Sequence, residues 1–304
     1  MGGVPDRMTI QPMALADIID GAMHLYRRNF APFLGIVAIA WVPALAVQVA
    51  GIYLLLGPLA GDEAVAMTPE AFIPAVIVFA LAGIAVYLIA VPLAQGALIW
   101  AVSNRYLDRP AGLAEAYHAV IDRLGNMIAV ILLTGLVVLS GTLACIIPGI
   151  IFAFMFSFAI PEVVLENRSP MDAMKRSWQL ANYDFRKVIT TLLVLGLLVW
   201  LLTMVLAMPF SWALVALAGE QNMILAQTLA RSVNTLVQVL IQPIQIIGTI
   251  LLYYDLRIRH EGFDIELLAD AVAGGKAAPV QQPPSLLGDD QPLLPPKINR
   301  GSEG

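Results

Sequence analysis

Residues 127–187 run MIAVILLTGLVVLSGTLACIIPGIIFAFMFSFAIPEVVLENRSPMDAMKRSWQLANYDFRK, and the order of their parts decides the fold. An apolar run, 127–147, meets Pro148 and Gly149 with no charge nearby. A second, shorter run, 150–165, leads back to a segment holding Arg168, Lys175, Arg176, Arg186 and Lys187. About 20 apolar residues cross a bilayer core as a helix, and basic residues are retained on the cytoplasmic side. The stretch is therefore predicted to be a helical hairpin that leaves the cytoplasmic face, turns outside and comes back.

The same alternation extends in both directions. Arg7, Arg27 and Arg28 precede the first apolar run, and the connection after it, 57–70, has no basic residue. Arg105, Arg109 and Arg123 fill the next connection. Arg257 and Arg259 begin the C-terminal basic segment, and of the 17 Lys and Arg only Arg231 falls on the other side. The runs 33–56, 71–102, 127–147, 150–165, 188–218 and 226–254 are six predicted spans with both termini inside. Pro92 is the expected kink in the over-long second span. The fifth is expected to cross as far as Met208 and then, past Pro209, to follow the outer interface.

Composition agrees. The chain is 59% hydrophobic and 13% charged, with a mean hydropathy of +0.81. Soluble domains carry about 25% charged residues, so lipid must solvate most of this surface. The net charge of −5 has no basic stripe interleaved with aromatics, which argues against nucleic acid as a partner. Cys145 is the single cysteine, excluding an intrachain disulfide and a cysteine-based metal site. Residues 1–12 have no apolar core, so the first span is expected to act as the insertion signal.

Three segments at the inner ends are helical in period without being apolar all round. In 15–30, Leu15, Ile18, Ile19, Ala22, Leu25 and Tyr26 oppose Asp17, Asp20, His24 and Arg27. In 113–124, Tyr117, Val120, Ile121 and Leu124 oppose Glu115, His118, Asp122 and Arg123. In 170–185, Met171, Met174, Trp178 and Ala181 oppose Asp172, Lys175, Arg176 and Gln179. Helices of this kind are expected in the headgroup plane. Each is followed by a polar break (Arg28 and Asn29; Gly125 and Asn126; Tyr183 and Asp184) and then by two spans. The expected fold is thus all-α, with three repeats of an interfacial helix plus a helical hairpin over residues 14–268. A short cytoplasmic segment, 1–13, precedes it, and a Pro-rich tail, 269–304, has the composition of a disordered segment.

No P-loop, GxSxG elbow or HExxH is present, and no residues are set at metal-ligand spacing, so neither a cofactor nor a metal is expected. The last span carries the one extended constellation. Gln227, Arg231, Asn234, Gln238, Gln242, Gln245 and Thr249 recur every three or four residues, which places them on one helical face. Lipid cannot solvate amides, so this face must meet other helices or water. Gln48 in the first span and Gln95 in the second are candidates to face it. Interhelical hydrogen bonding and a polar groove for a headgroup, solute or water both fit. Glu162 and Glu166 lie on one face beside Arg168, Lys175 and Arg176, as an ion-pair cluster or, alternatively, an intramembrane acid pair. Candidate contacts to lipid headgroups are Arg27, Arg28, Lys175, Arg176, Arg257 and Arg259.

Residues 251–268, LLYYDLRIRHEGFDIELL, taken with 148–185 and with DIIDGAMHLYRRNFAPFLG at 17–35, resemble the glycerophosphoryl diester phosphodiesterase membrane domain family over roughly residues 13–268. The resemblance implies an all-helical domain of six spans. In some members it is fused to a soluble phosphodiesterase barrel, which this sequence lacks, so it implies a membrane module without hydrolysis. Members often carry a basic residue in the fourth span where Met155 stands here. The expectation is a non-enzymatic inner-membrane protein that binds or organises phospholipid as an accessory to lipid or envelope metabolism, with another membrane or envelope protein as a further candidate partner. The alternatives are a transporter or channel along the last span, and an intramembrane enzyme acting on glycerophospholipid headgroups.

Overall fold

The computed structural model describes residues 13–56, 68–217 and 223–262. Among them every regular element is a helix. In chain order these are α1 (Leu15–Arg28), α2 (Phe30–Leu56), α3 (Pro69–Ala85), α4 (Val91–Tyr106), α5 (Leu113–Ile121), α6 (Leu124–Ala144), α7 (Ile146–Met155), α8 (Ala159–Glu166), α9 (Pro170–Tyr183), α10 (Phe185–Leu217) and α11 (Met223–Glu261). Among the described residues six runs are long and apolar enough to cross a membrane: Phe30–Gly51, Glu70–Tyr106, Leu124–Ala144, Ile146–Glu166, Phe185–Leu217 and Leu225–Glu261. The protein is an all-α, multi-pass membrane protein. The N-terminal segment 1–12, the acidic loop 57–67, the connection 218–222 and the Pro-rich tail lie outside the described residues.

The kink near Pro92 takes a specific form. A π-turn, Val86–Ala90, joins α3 to α4 immediately before it. Proline cannot donate to the ladder and its ring crowds the carbonyl four residues back. A locally widened turn relieves that conflict. Pro209 does not interrupt its helix: α10 continues through it to Leu217.

The third and fourth spans turn at Cys145, whose backbone is extended (φ −168°, ψ 144°), three residues before the predicted turn. Pro148 instead sits in the first turn of α7, where a missing N–H costs nothing. Gly149 serves packing: a Cβ there would lie 2.0 Å from the Thr142 hydroxyl oxygen and 2.8 Å from the Thr142 backbone nitrogen. The break before α6 falls at Asp122 and Arg123, with Gly125 and Asn126 already in its first turn.

The fourth span is not continuous. It opens at Phe156–Ser157–Phe158, between α7 and α8. Backbone groups freed inside a membrane must find partners, and Ser177 of α9 supplies them. Its hydroxyl donates to the Met155 carbonyl (2.7 Å) and accepts the Phe158 N–H (3.1 Å). To bring Ser177 this close, α9 buries Ala173, Ser177, Leu180 and Ala181, a row one position round from the predicted apolar face. Met171 and Trp178 of that predicted face remain exposed.

The amphipathic helices use their apolar faces against the protein itself. Ile18 and Ala22 of α1 are fully buried, and α1 packs along α11. Helix α5 packs on α4, and α9 on α8 and α6. Each amphipathic helix therefore lies against the second span of the preceding hairpin, with α1 taking the last hairpin as its predecessor. The second spans end alike: Asp108 (φ 54°), Asn167 (φ 52°) and Gly262 (φ 65°) are the left-handed residues among those described, a conformation that terminates helices. The deepest core collects at this end, where Ile247, Ile250, Leu251, Leu252 and Tyr253 of α11 have no exposure.

Candidate functional site

The polar positions of α11 follow its long axis and form the walls of two cavities. The one farther from the basic end, here termed outer, about 750 Å³, lies between α2, α3 and α11. Trp41, Phe79 and Tyr87 give its aromatic lining, and Gln48, Arg231, Asn234 and Gln238 its polar lining. The inner one, about 220 Å³, is bounded by Gln95, Ser157, Gln242, Gln245 and Thr249. Seven of the eight groove candidates therefore meet at cavity walls. Gln227 lines neither of these cavities.

Some of these groups are interhelical ties. Thr235 donates to the Gln48 side-chain oxygen (2.9 Å) and Trp41 to that of Gln242 (3.0 Å), both joining α2 to α11. Asn234 donates to the Ser211 hydroxyl on α10 (2.9 Å). The rest are not. Among the described residues, the side chains of Gln95, Gln227, Arg231, Gln238 and Gln245 make no hydrogen bond or ion pair. Helix gluing therefore accounts for Gln48, Asn234 and Gln242, and leaves Gln95, Arg231, Gln238 and Gln245 on the cavity walls. Ser157, in the break of the fourth span, adds a buried hydroxyl without a hydrogen-bond partner to the inner cavity. A lone Ser between two Phe was the sequence signal for it. Trp41 and Tyr87 carried none, since an aromatic in an apolar run looks like any lipid-facing residue.

At the opposite, basic end two clusters of charged side chains are paired internally. Glu162, fully buried, meets Arg168 (3.1 Å) and Arg176 (3.8 Å). Glu166 meets Arg168 (2.5 Å) and Arg257 (3.2 Å) and accepts the Tyr253 hydroxyl (2.9 Å). Glu261 closes the ring through Arg176 (2.5 Å) and Arg257 (3.3 Å). The hydrogen bond from Arg168 to Glu166 raises the guanidinium pKa further, so the cation is permanent. A second group centres on buried Asp255, which takes Lys187 (2.5 Å), Arg259 (3.1 Å) and the Met13 backbone N–H (2.6 Å). Of the headgroup candidates, Arg176, Arg257 and Arg259 thus bind internal carboxylates, while Arg27, Arg28 and Lys175 are exposed. Burial pushes the Tyr117 phenol up to about 12, keeping it a donor to the Ile36 carbonyl (2.6 Å) that fixes α5 to α2.

The fold and these cavities define a multi-pass α-helical membrane protein with a polar, internally lined helix. No protein-family model, curated protein or solved structure matches the chain.

Proposed function

We propose that this protein is a non-enzymatic membrane module that binds or organises phospholipid in a bacterial-type inner membrane, as an accessory to lipid or envelope metabolism. The observation that carries the reading is the outer cavity. A lining that combines aromatic and aliphatic side chains with Gln48, Arg231, Asn234 and Gln238 suits an amphiphile, with the alkyl part against Phe79 and Tyr87 and the anionic part near Arg231. We further propose that the chain belongs with the glycerophosphoryl diester phosphodiesterase membrane domains, with both termini cytoplasmic and three repeated units. The succession of amphipathic helices on preceding hairpins and the left-handed residue closing each second span support the repeat. An enzymatic reading draws less support, because Glu162 and Glu166 are held by Arg168, Arg176 and Arg257.

Native mass spectrometry of the full chain from mild detergent tests the lipid reading. Retained phospholipid that is lost on Arg231→Gln with Gln238→Leu is expected; lipid-free spectra of the unaltered protein would sink it.

The second cavity favours one competing reading, a solute conduit along α11, since polar walls continue past Gln242 to Gln245 and Thr249. Single Gln238→Cys and Gln242→Cys variants, made with Cys145→Ser, would then both react with a small aqueous thiol reagent. Protection of both removes the conduit.

A further inference from the structure

A third cavity, about 330 Å³, lies at the basic end, away from the groove of α11, where the C-terminal end of α1 meets the loop between α4 and α5. Arg28, Arg105 and Arg109 line it, with Asp108 as the one acidic wall residue. The other charge clusters at this end are closed by carboxylates of the protein. This one is not: among the described residues none of the three guanidiniums has an ion-pair partner. Arg105 is also held in place. Its Nη2 donates to the Ala111 carbonyl (3.2 Å), while its Nε is buried with no hydrogen-bond partner. Buried donors on a charged group are rarely left unmatched.

The local backbone sharpens the comparison. Asp108 and Asn167 share the left-handed turn, and each is followed by an arginine, Arg109 and Arg168. At Arg168, Glu162 and Glu166 supply the negative charge. At Arg109 no carboxylate pairs with the guanidinium, and a cavity bordered by two further guanidiniums takes that place. Forked guanidinium donors match the oxygens of a phosphate.

We propose that Arg28, Arg105 and Arg109 form a binding site for a phosphate oxyanion, supplied either by a phospholipid headgroup of the adjoining leaflet or by a free phosphate. Asp108 limits the charge of the site, which favours a singly charged phosphodiester, and its carboxylate is positioned for an amine or hydroxyl beside that phosphate. The site is independent of the α11 groove and stands or falls apart from it.

The test titrates the purified full chain, in a neutral detergent, with a short-chain phosphatidylglycerol and separately with inorganic phosphate, following binding calorimetrically. Arg105→Gln is expected to weaken binding by about tenfold or more, as loss of a hydrogen bond between charged groups does. Arg28→Gln, an exposed position that leaves the core untouched, should weaken it as well, and Asp108→Asn should strengthen inorganic phosphate. Response to phosphatidylglycerol alone identifies a headgroup site, and response to both identifies an oxyanion site that free phosphate can fill. Arg231→Gln should leave either response intact, separating this site from the groove. No binding of either probe by the unaltered protein, or equal binding by the Arg28→Gln and Arg105→Gln variants, overturns the proposal.

Discussion

The indole N–H of Trp41 donates to the side-chain oxygen of Gln242 at 3.0 Å, and this bond joins the walls of two cavities. Trp41 belongs to the outer one and Gln242 to the inner one. The pair has two consequences at once. It ties α2 to α11, and it sets a large side chain from the lining of one cavity against a polar group from the lining of the other.

Replacing Trp41 with Phe separates those consequences. An interhelical hydrogen bond in a membrane is worth only about 0.6 kcal/mol, so stability in detergent should change little. Access should change more. In a background with Cys145→Ser, thiol labelling of a Gln245→Cys variant should rise several-fold when Trp41→Phe is added. Equal labelling with and without the indole would show that the pair does not divide the cavities.

The break in the fourth span makes a different prediction. Ser177→Ala removes the partner of the Phe158 N–H and of the Met155 carbonyl together, in a place where water does not replace them. An unsatisfied buried backbone group costs about 1–3 kcal/mol, so thermal unfolding in detergent should shift down accordingly. Ser177→Thr keeps the hydroxyl and tests whether the tight approach of α9 tolerates a methyl. An unshifted Ser177→Ala midpoint would mean the break is satisfied some other way.

These two cases show where the sequence was legible. The alternation of basic and apolar segments located six spans to within a few residues, because hydropathy acts on each span separately. The polar face of α11 was visible for the same reason: period 3.6 is local. Partnership was not. Nothing local told that Gln48 and Gln242 would be occupied while Gln238 and Gln95 face volume, since that depends on α2 and α3 lying beside the one and α8 and α11 beside the other. The hairpin turn was read three residues late because Pro148 and Gly149 look like a turn, yet here one opens a helix and the other admits Thr142. The headgroup arginines divided by tertiary contact as well, Arg257 and Arg259 being claimed by carboxylates that their own helix turns toward them.

Glycine substitutions should divide sharply by position. Gly149→Ala drives a Cβ to 2.9 Å from the Thr142 Cα and closer still to its hydroxyl. Backbone cannot move aside as a side-chain end can, so α6 and α7 must separate, at about 1–3 kcal/mol for overpacking of this kind. Gly135→Ala, on the same α6, meets nothing within 4 Å and should be neutral or mildly stabilising. Unfolding midpoints of the two variants measured side by side check this, and a harmless Gly149→Ala would contradict the packing role.

Asp255 yields the strongest stability prediction, because its charge is fully buried and three groups converge on it. Lys187 and Arg259 approach from α10 and from one turn further along α11, and both also donate to the Met13 carbonyl, at 2.7 Å and 2.9 Å. Asp255→Asn keeps the shape but strands Lys187, whose side chain is only 15% exposed. Breaking a buried pair from one side costs about 3–5 kcal/mol, and the chain entering α1 loses its anchor as well. Arg259→Gln should cost far less, about 1 kcal/mol or under, since its side chain is 36% exposed and Lys187 still neutralises Asp255. Unfolding in detergent measures both costs, and amide hydrogen exchange near Met13 should quicken in Asp255→Asn but hardly in Arg259→Gln. Comparable destabilisation by the two variants would place the anchor in Arg259 and not in the buried carboxylate.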